Sequence, residues 1–211
     1  MSTPLLEFQL TGSFNLLDSL VNEISDKEWT LKVNRRANMV GFTVWHCLRT
    51  IDWTINRVAA RRNELVVRTE WRDVRPGGAF FGAGATMESA DRVARTVSRD
   101  RTRDYLSALR SETLAWLRET SDEDLDRLVD LNADDRDADH LQPAVWLEVK
   151  DLDRIPVWQL LARPAISHIR LHCGEVEAQL QAMRAESRER RSARASDPGR
   201  CLHGQMQRST R

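Results

Sequence analysis

The stretch NMVGFTVWHCLRTIDW, residues 38–53, decides the fold of this chain. From Val44 onward, through this stretch and beyond it, aliphatic side chains recur at alternating spacings of four and three residues: Val44, Leu48, Ile51, Ile55 and Val58. This spacing is typical of one face of an amphipathic helix and predicts a helix from about Phe42 to Arg62. At 100° per residue, Phe42, His46, Arg49 and Trp53 share the opposite side. The helix is therefore expected to be buried on two sides, by a neighbouring helix and by a cavity.

Three further helical regions follow from similar patterns. Thr3 and Pro4 form a helix start, and apolar residues then recur at helical spacing: Leu6, Leu10, Leu17, Leu20 and Ile24. A third region spans residues 87–119, with a break near Ser98. The last helix runs from about Pro156 to Arg188, and Pro164 is expected to kink it. These patterns predict an all-α protein, an antiparallel four-helix bundle with long connecting loops in residues 1–185. Residues 186–211 are basic, contain little to bury and are predicted to be a disordered tail.

Two connecting segments differ in character. Residues 72–85 are rich in glycine and are predicted to form a mobile loop. It lacks the Lys-Ser/Thr ending of a phosphate-binding loop, and Phe80 and Phe81 at its tip either cover a pocket or tuck against the bundle. Residues 130–154 are irregular and charged, with one strand-like piece at residues 144–149.

Composition excludes several classes of function. The 211 residues carry 32 basic and 32 acidic side chains, so no net field draws the chain to nucleic acid or to an anionic membrane. We predict no nucleic-acid partner and no membrane association, because no apolar run is long enough to span a bilayer. The start of the chain lacks the features of a secretory signal, which favours a cytoplasmic protein. Three scattered cysteines do not make a disulfide framework.

Three histidines carry the candidate chemistry. His168 and His172 lie four residues apart, so that both imidazoles project from one face of the last helix. This face also carries apolar residues and two polar ones, Glu175 and Gln179, and burying such polar groups is costly unless each finds a partner. His46 lies in a second buried helical stretch. Three imidazoles with an open position form a typical catalytic metal site, although a purely structural hydrogen-bonded cluster is the competing interpretation.

The pairing of NMVGFTVWHCLRTIDW with AISHIRLHCGEVEAQL, residues 165–180, resembles the DinB-like superfamily. This superfamily includes the YfiT-like proteins and the N-terminal domain of mycothiol-dependent maleylpyruvate isomerase. Its members are four-helix bundles in which one histidine of the second helix and an HxxxH pair of the last helix hold a metal ion. His46, His168 and His172 match those positions. The resemblance covers roughly residues 5–185.

The resemblance implies a metal-dependent enzyme, a thiol S-transferase or isomerase acting with a low-molecular-weight thiol such as mycothiol. The alternatives are a non-catalytic metal-containing bundle that binds a small ligand, and a metal-dependent hydrolase. Zinc, nickel, iron and manganese suit such ligands, and we expect zinc or nickel. A small-molecule substrate and a homodimer are also expected. No catalytic residue is assigned beyond the metal ligands.

Other polar residues near the histidines have two interpretations. Arg49 either binds a carboxylate of a substrate or thiol, or pairs with Asp52 or Glu175. Glu175 is expected to orient a ligand imidazole, with a fourth ligand or general base as alternatives. Cys47 and Cys173 are predicted to be buried thiols that do not bind the metal. Two remaining histidines are predicted to be surface residues: His140 and His203.

Overall fold

The computed structural model describes residues 3–78, 80–133 and 138–195, and the regular elements in these ranges are helices. Five helices form most of the core: α1 (Thr3–Glu23), α2 (Val40–Asp52), α3 (Met87–Thr96), α4 (Arg99–Glu119) and α5 (His168–Ala195). One isolated antiparallel β-bridge joins Leu128 to Pro156. The all-α prediction is confirmed. Within the described part of the chain, no helix is long and apolar enough to cross a bilayer.

Helices α1, α4, α2 and α5 contact one another in a closed ring. Arg118 binds Glu7, and Arg99 donates to the carbonyl of Ile24, so α1 and α4 run antiparallel. Residues of α5 meet α1 in the same order along both helices, because Arg170 binds Gln9 and Arg184 binds Glu23. Helices α1 and α5 are therefore parallel. Helices α2 and α5 run antiparallel, because His46 of α2 meets His168 of α5 while the segment after α2 contacts the segment before α5. This completes an up-down-down-up arrangement of α1, α2, α4 and α5.

Helix α2 is buried on both of its predicted sides. The aliphatic stripe is enclosed: Val44, Leu48, Ile51, Ile55 and Val58. The opposite side is also enclosed, with Phe42, Arg49 and Trp53 each 5% exposed or less. The helix begins at Val40, and Gly41 lets the Trp29 ring pack closely on its first turn. A Cβ at residue 41 would lie 2.5 Å from Trp29 Nε1.

Both helices that carry histidines contain a π-helical segment. Helix α2 continues as wider turns over Trp53–Ala59, and α5 is preceded by Val157–Leu160 and by wide turns over Leu161–Ser167. Pro164 lies in the second segment, where its missing N–H and its ring are incompatible with a regular α-helix. The predicted distortion one turn before the histidines is therefore present. The two π-helical segments contact each other.

Connecting segments test the remaining predictions. Ser98 caps α4 and separates it from α3, as predicted. The strand-like interpretation of residues 144–149 is wrong, because Pro143–Val149 is a helix. Pro143 occupies the first turn, where proline is well tolerated, and Val145 and Val149 are buried one helical turn apart.

Helix α5 continues to Ala195, past the predicted domain boundary at residue 185. The rest of the predicted tail, residues 196–211, lies outside the described residues.

Candidate metal centre

The HxxxH pair of α5 brings two imidazoles into contact. His168 and His172 lie one turn apart, and their ring centroids are 4.4 Å apart. Their Nε2 atoms face each other at 3.0 Å. Two nitrogens bound to one tetrahedral ion at about 2.0–2.1 Å are separated by roughly 3.3 Å, so the observed spacing is close to that of a shared ligand.

His46 approaches this pair from α2. The centroid of its ring lies 5.2 Å from those of both His168 and His172, and one nitrogen of each residue lies within 4.8 Å of the others. Its Nδ1 lies 2.5 Å from the carbonyl oxygen of Phe81 in the glycine-rich loop. Gly82 follows with a φ of +101°, and a Cβ there would lie 2.9 Å from His46 Nδ1. A glycine is therefore required for the loop to reach the histidine.

Hydrogen bonds fix which nitrogen of two imidazoles faces the centre. A carbonyl only accepts, so His46 donates its Nδ1–H to Phe81, and its Nε2 is left with a lone pair. His172 Nδ1 lies 2.8 Å from the Glu175 carboxylate, which assigns the same tautomer. Burial lowers the pKa of His46 and that of His168 to about 4. Both imidazoles are therefore neutral at neutral pH, the form that binds a metal ion.

A divalent ion fits this set of donors better than a hydrogen bond alone. If His168 donated Nε2–H to His172, its own Nδ1 would be an acceptor. That Nδ1 is buried and has no hydrogen-bond partner in the described part of the chain, while the nearby Pro164 carbonyl favours a proton on this imidazole. With the proton on Nδ1, the Nε2 lone pairs of His168 and His172 face each other. An ion between them removes that repulsion and uses the lone pair of His46 as well.

Glu175 occupies the orienting position that the sequence predicted. Besides its contact with His172, its second carboxylate oxygen lies 3.4 Å from the amide nitrogen of Gln179. Because the carboxylate accepts the Nδ1–H of His172, it directs that imidazole towards His168 and increases its basicity.

Arg49 lies in a separate buried network, and its contacts support the structural interpretation. Its side chain is fully buried and binds Asp52 at 2.9 Å and Glu64 at 2.8 Å. Asp52 also accepts from the Tyr105 hydroxyl and from the backbone N–H of Leu65 at 2.8 Å. This network fastens the segment after α2 to the bundle. The predicted partner Asp52 is confirmed, whereas Glu175 instead binds His172.

The remaining histidine and cysteine predictions have mixed outcomes. The prediction that His140 is a surface residue is wrong, because its side chain is only 2% exposed. Its Nε2 binds the Leu131 carbonyl at 2.9 Å, and its ring packs against Trp53. Cys47 and Cys173 are free, buried thiols, as predicted. Burial raises the pKa of Cys173 to about 12, so this thiol remains protonated. His203 lies outside the described residues.

A cavity of about 420 Å³ opens beside the histidines. His46 and His168 line it, together with Phe81, Trp53 and residues of the π-helical segment before α5. Sequence analysis missed three of the features that shape this site: the Phe81 carbonyl, Gly82 and Arg163. Gly82 has a positive φ of +101°, a conformation that favours glycine, and the glycine-rich composition of residues 72–85 is the one sequence signal for it.

The fold and the site together define a helical bundle with a three-histidine centre beside a cavity. Residues 9–176 match the sequence profile of the DinB superfamily, and the chain belongs to this superfamily. A comparison with curated proteins finds no similar sequence.

Proposed function

We propose that this protein is a metal-dependent enzyme that transfers a low-molecular-weight thiol to a small electrophile, or uses the thiol to isomerise it. The supporting observation is the convergence of three imidazoles, two of them with assigned tautomers, beside an accessible cavity. A bound zinc or nickel ion would act as a Lewis acid and favour the thiolate form of the thiol near neutral pH. Superfamily membership is consistent with this chemistry.

The chain's own residues orient the metal ligands and shape the cavity beside them. The Phe81 carbonyl holds His46, and the Glu175 carboxylate holds His172, so that both Nε2 atoms point to one place. Trp53 and Phe81 form a largely apolar part of the cavity wall next to His46. Fixed ligands and a shaped cavity are what a metal centre requires from its protein.

A non-catalytic ligand-binding bundle is the second candidate, and one observation favours it. Apart from the histidines and Arg163, Glu148 is the one acidic or basic side chain among the residues that line the cavity. It already accepts a hydrogen bond from the backbone N–H of Gly84 at 2.9 Å. Proton transfer would therefore depend on the metal centre itself.

The test is a thiol-consumption assay on the zinc-loaded and nickel-loaded protein. Mycothiol, bacillithiol and cysteine would each be incubated with 1-chloro-2,4-dinitrobenzene, and the remaining thiol would be titrated. We expect metal-dependent consumption that is lost in His168→Ala but retained in the control Arg92→Met, which changes a distant exposed side chain. Metal binding without consumption of any thiol would support the second candidate instead.

A further inference from the structure

The cavity beside the histidines is built by the two distorted helices. Thr50 and Trp53 line it from the end of α2, and Arg163, Pro164 and Ser167 line it from the π-helical segment before α5. π-helical turns are frequently found at functional sites, because they displace side chains from regular helical positions. At about 420 Å³, the cavity lies in the range of small-ligand pockets.

Most of the cavity wall is apolar. The lining side chains without a polar group are Phe81, Val149, Leu152, Pro164 and Leu171. Phe81 is 4% exposed and packs on Trp53 with ring centroids 5.0 Å apart, so this part of the wall is firmly packed. An apolar wall of this kind favours a ligand with a compact hydrocarbon or aromatic body.

Besides Glu148, whose carboxylate already accepts a hydrogen bond from the backbone N–H of Gly84, the lining contains one permanently charged side chain, that of Arg163. Its Nη1 donates to the backbone carbonyl of Asp151 at 3.0 Å, which positions the guanidinium without neutralising its charge. Within residues 3–78, 80–133 and 138–195, no carboxylate lies within 4.0 Å of this guanidinium. A guanidinium with free donors beside an apolar cavity is suited to binding a carboxylate.

Two buried polar atoms of lining residues also lack partners in the described part of the chain. They are the hydroxyl of Thr50 and the indole N–H of Trp53. Thr50 lies one turn from His46, so its hydroxyl is near the candidate metal centre. A buried polar atom without a partner calls for an explanation.

We propose that the cavity selects small organic acids: an apolar body between Trp53, Phe81 and Leu171, with a carboxylate held by Arg163. Arg163 is thereby a specificity-determining residue. That such an acid acts as the electrophile rests on the proposed function, whereas the preference for binding acids rests on the cavity and Arg163 alone. Arg163 distinguishes ligands by their charge, which the three histidines do not.

The test compares a carboxylate with its neutral isostere. Zinc-loaded protein would be titrated by calorimetry with phenylacetate and with phenylacetamide. We expect phenylacetate to bind at least about tenfold more tightly, the effect of a charge-assisted hydrogen bond. Arg163→Gln should remove this preference and leave phenylacetamide binding unchanged. Arg170→Gln is the matched control, because Arg170 is exposed in α5 and binds Gln9 instead of lining the cavity.

Three outcomes would overturn the inference: no binding of phenylacetate, equal binding of the two probes, or a preference that persists in Arg163→Gln. The last outcome would indicate a carboxylate that binds the metal directly. Elemental analysis of the same samples separates this test from that of the proposed function. Protein without metal would contradict the proposed function, and the titration of metal-free protein would still decide the preference for carboxylates.

Discussion

Replacing Arg49 with methionine tests whether this residue is structural. The guanidinium is fully buried and balances the charges of Asp52 and Glu64. Asp52 would keep its bonds to the Tyr105 hydroxyl and to backbone N–H groups, whereas Glu64 would lose a close cation. Removing one partner of a buried ion pair costs about 3–5 kcal/mol. Because Asp52 stays well bonded, we expect the lower end, about 3 kcal/mol, or a fall in Tm of roughly 6–12 °C.

The pH dependence of this loss has a definite sign. Burial already raises the pKa of Glu64, and Arg49 opposes that effect. Without Arg49 the folded-state pKa rises further above its unfolded value, so a protonated Glu64 favours the folded state at low pH. The deficit of Arg49→Met relative to the parent should therefore shrink as the pH falls from 8 to 5.

Urea denaturation followed by circular dichroism at both pH values measures the effect. Arg92→Met is the control, because Arg92 forms an exposed pair with Glu88 that contributes less than about 1 kcal/mol. Zinc affinity of the folded Arg49→Met protein should be unchanged. A loss of stability below about 1 kcal/mol, or a large loss of zinc affinity in the folded protein, would refute the structural assignment.

Five further substitutions, two of them controls, test the positions of glycines and of the orienting carboxylate. Gly82→Ala should weaken zinc binding about tenfold, measured by competition with a chromophoric chelator, because its Cβ would displace His46. Gly77→Ala has a similar positive φ but no atom within 4 Å, so an equal loss of affinity there would contradict this reasoning. Gly41→Ala should destabilise the fold by about 2 kcal/mol in urea denaturation, since its Cβ would lie 2.8 Å from Trp29 Cδ1. Gly174→Ala, in open space within α5, should instead stabilise by about 0.5–1 kcal/mol. Glu175→Gln should lower zinc affinity about 10–100-fold in calorimetry, and an unchanged affinity would exclude an orienting role.

The sequence predicted the helices and the side of each helix that carries its histidines because both depend on local spacing, whereas the meeting of His46 with the HxxxH pair was implied by the resemblance to the DinB-like superfamily. The spacing of Val44, Leu48 and Ile51 determines which side of α2 faces the core, and that in turn places His46 on the other side. His168 and His172 share a face for the same reason. Ser98 signalled a helix boundary through its side chain, which accepts the N–H of Arg101.

The parts that sequence reasoning missed depend on contacts between distant segments. The acceptor for His46 is a backbone carbonyl, which any residue at position 81 would provide, so no side-chain pattern marks it. His140 lies in a polar stretch, and its burial results from the approach of Leu131 and Trp53. The partner of Arg49 at Glu64 likewise depends on how the segment after α2 folds back.

Residues 143–149 show the limit of local propensity. Their two valines and one tryptophan favour a strand, whereas Pro143 favours a helix start. Burial of Val145 and Val149 on one side, with Leu147 68% exposed on the other, stabilises the helix. Local propensity therefore does not choose between strand and helix for residues 143–149, and tertiary packing favours the helix.

Metal content tests the central claim most directly. Protein purified without an affinity tag would be analysed for metals and titrated with zinc and with nickel, beside His46→Ala and His168→Ala variants whose folding is checked by circular dichroism. We expect about one divalent ion per parent chain and a large loss of affinity in both variants. Folded parent protein that contains no divalent metal and binds neither ion in calorimetry would contradict the assignment of a metal centre to His46, His168 and His172.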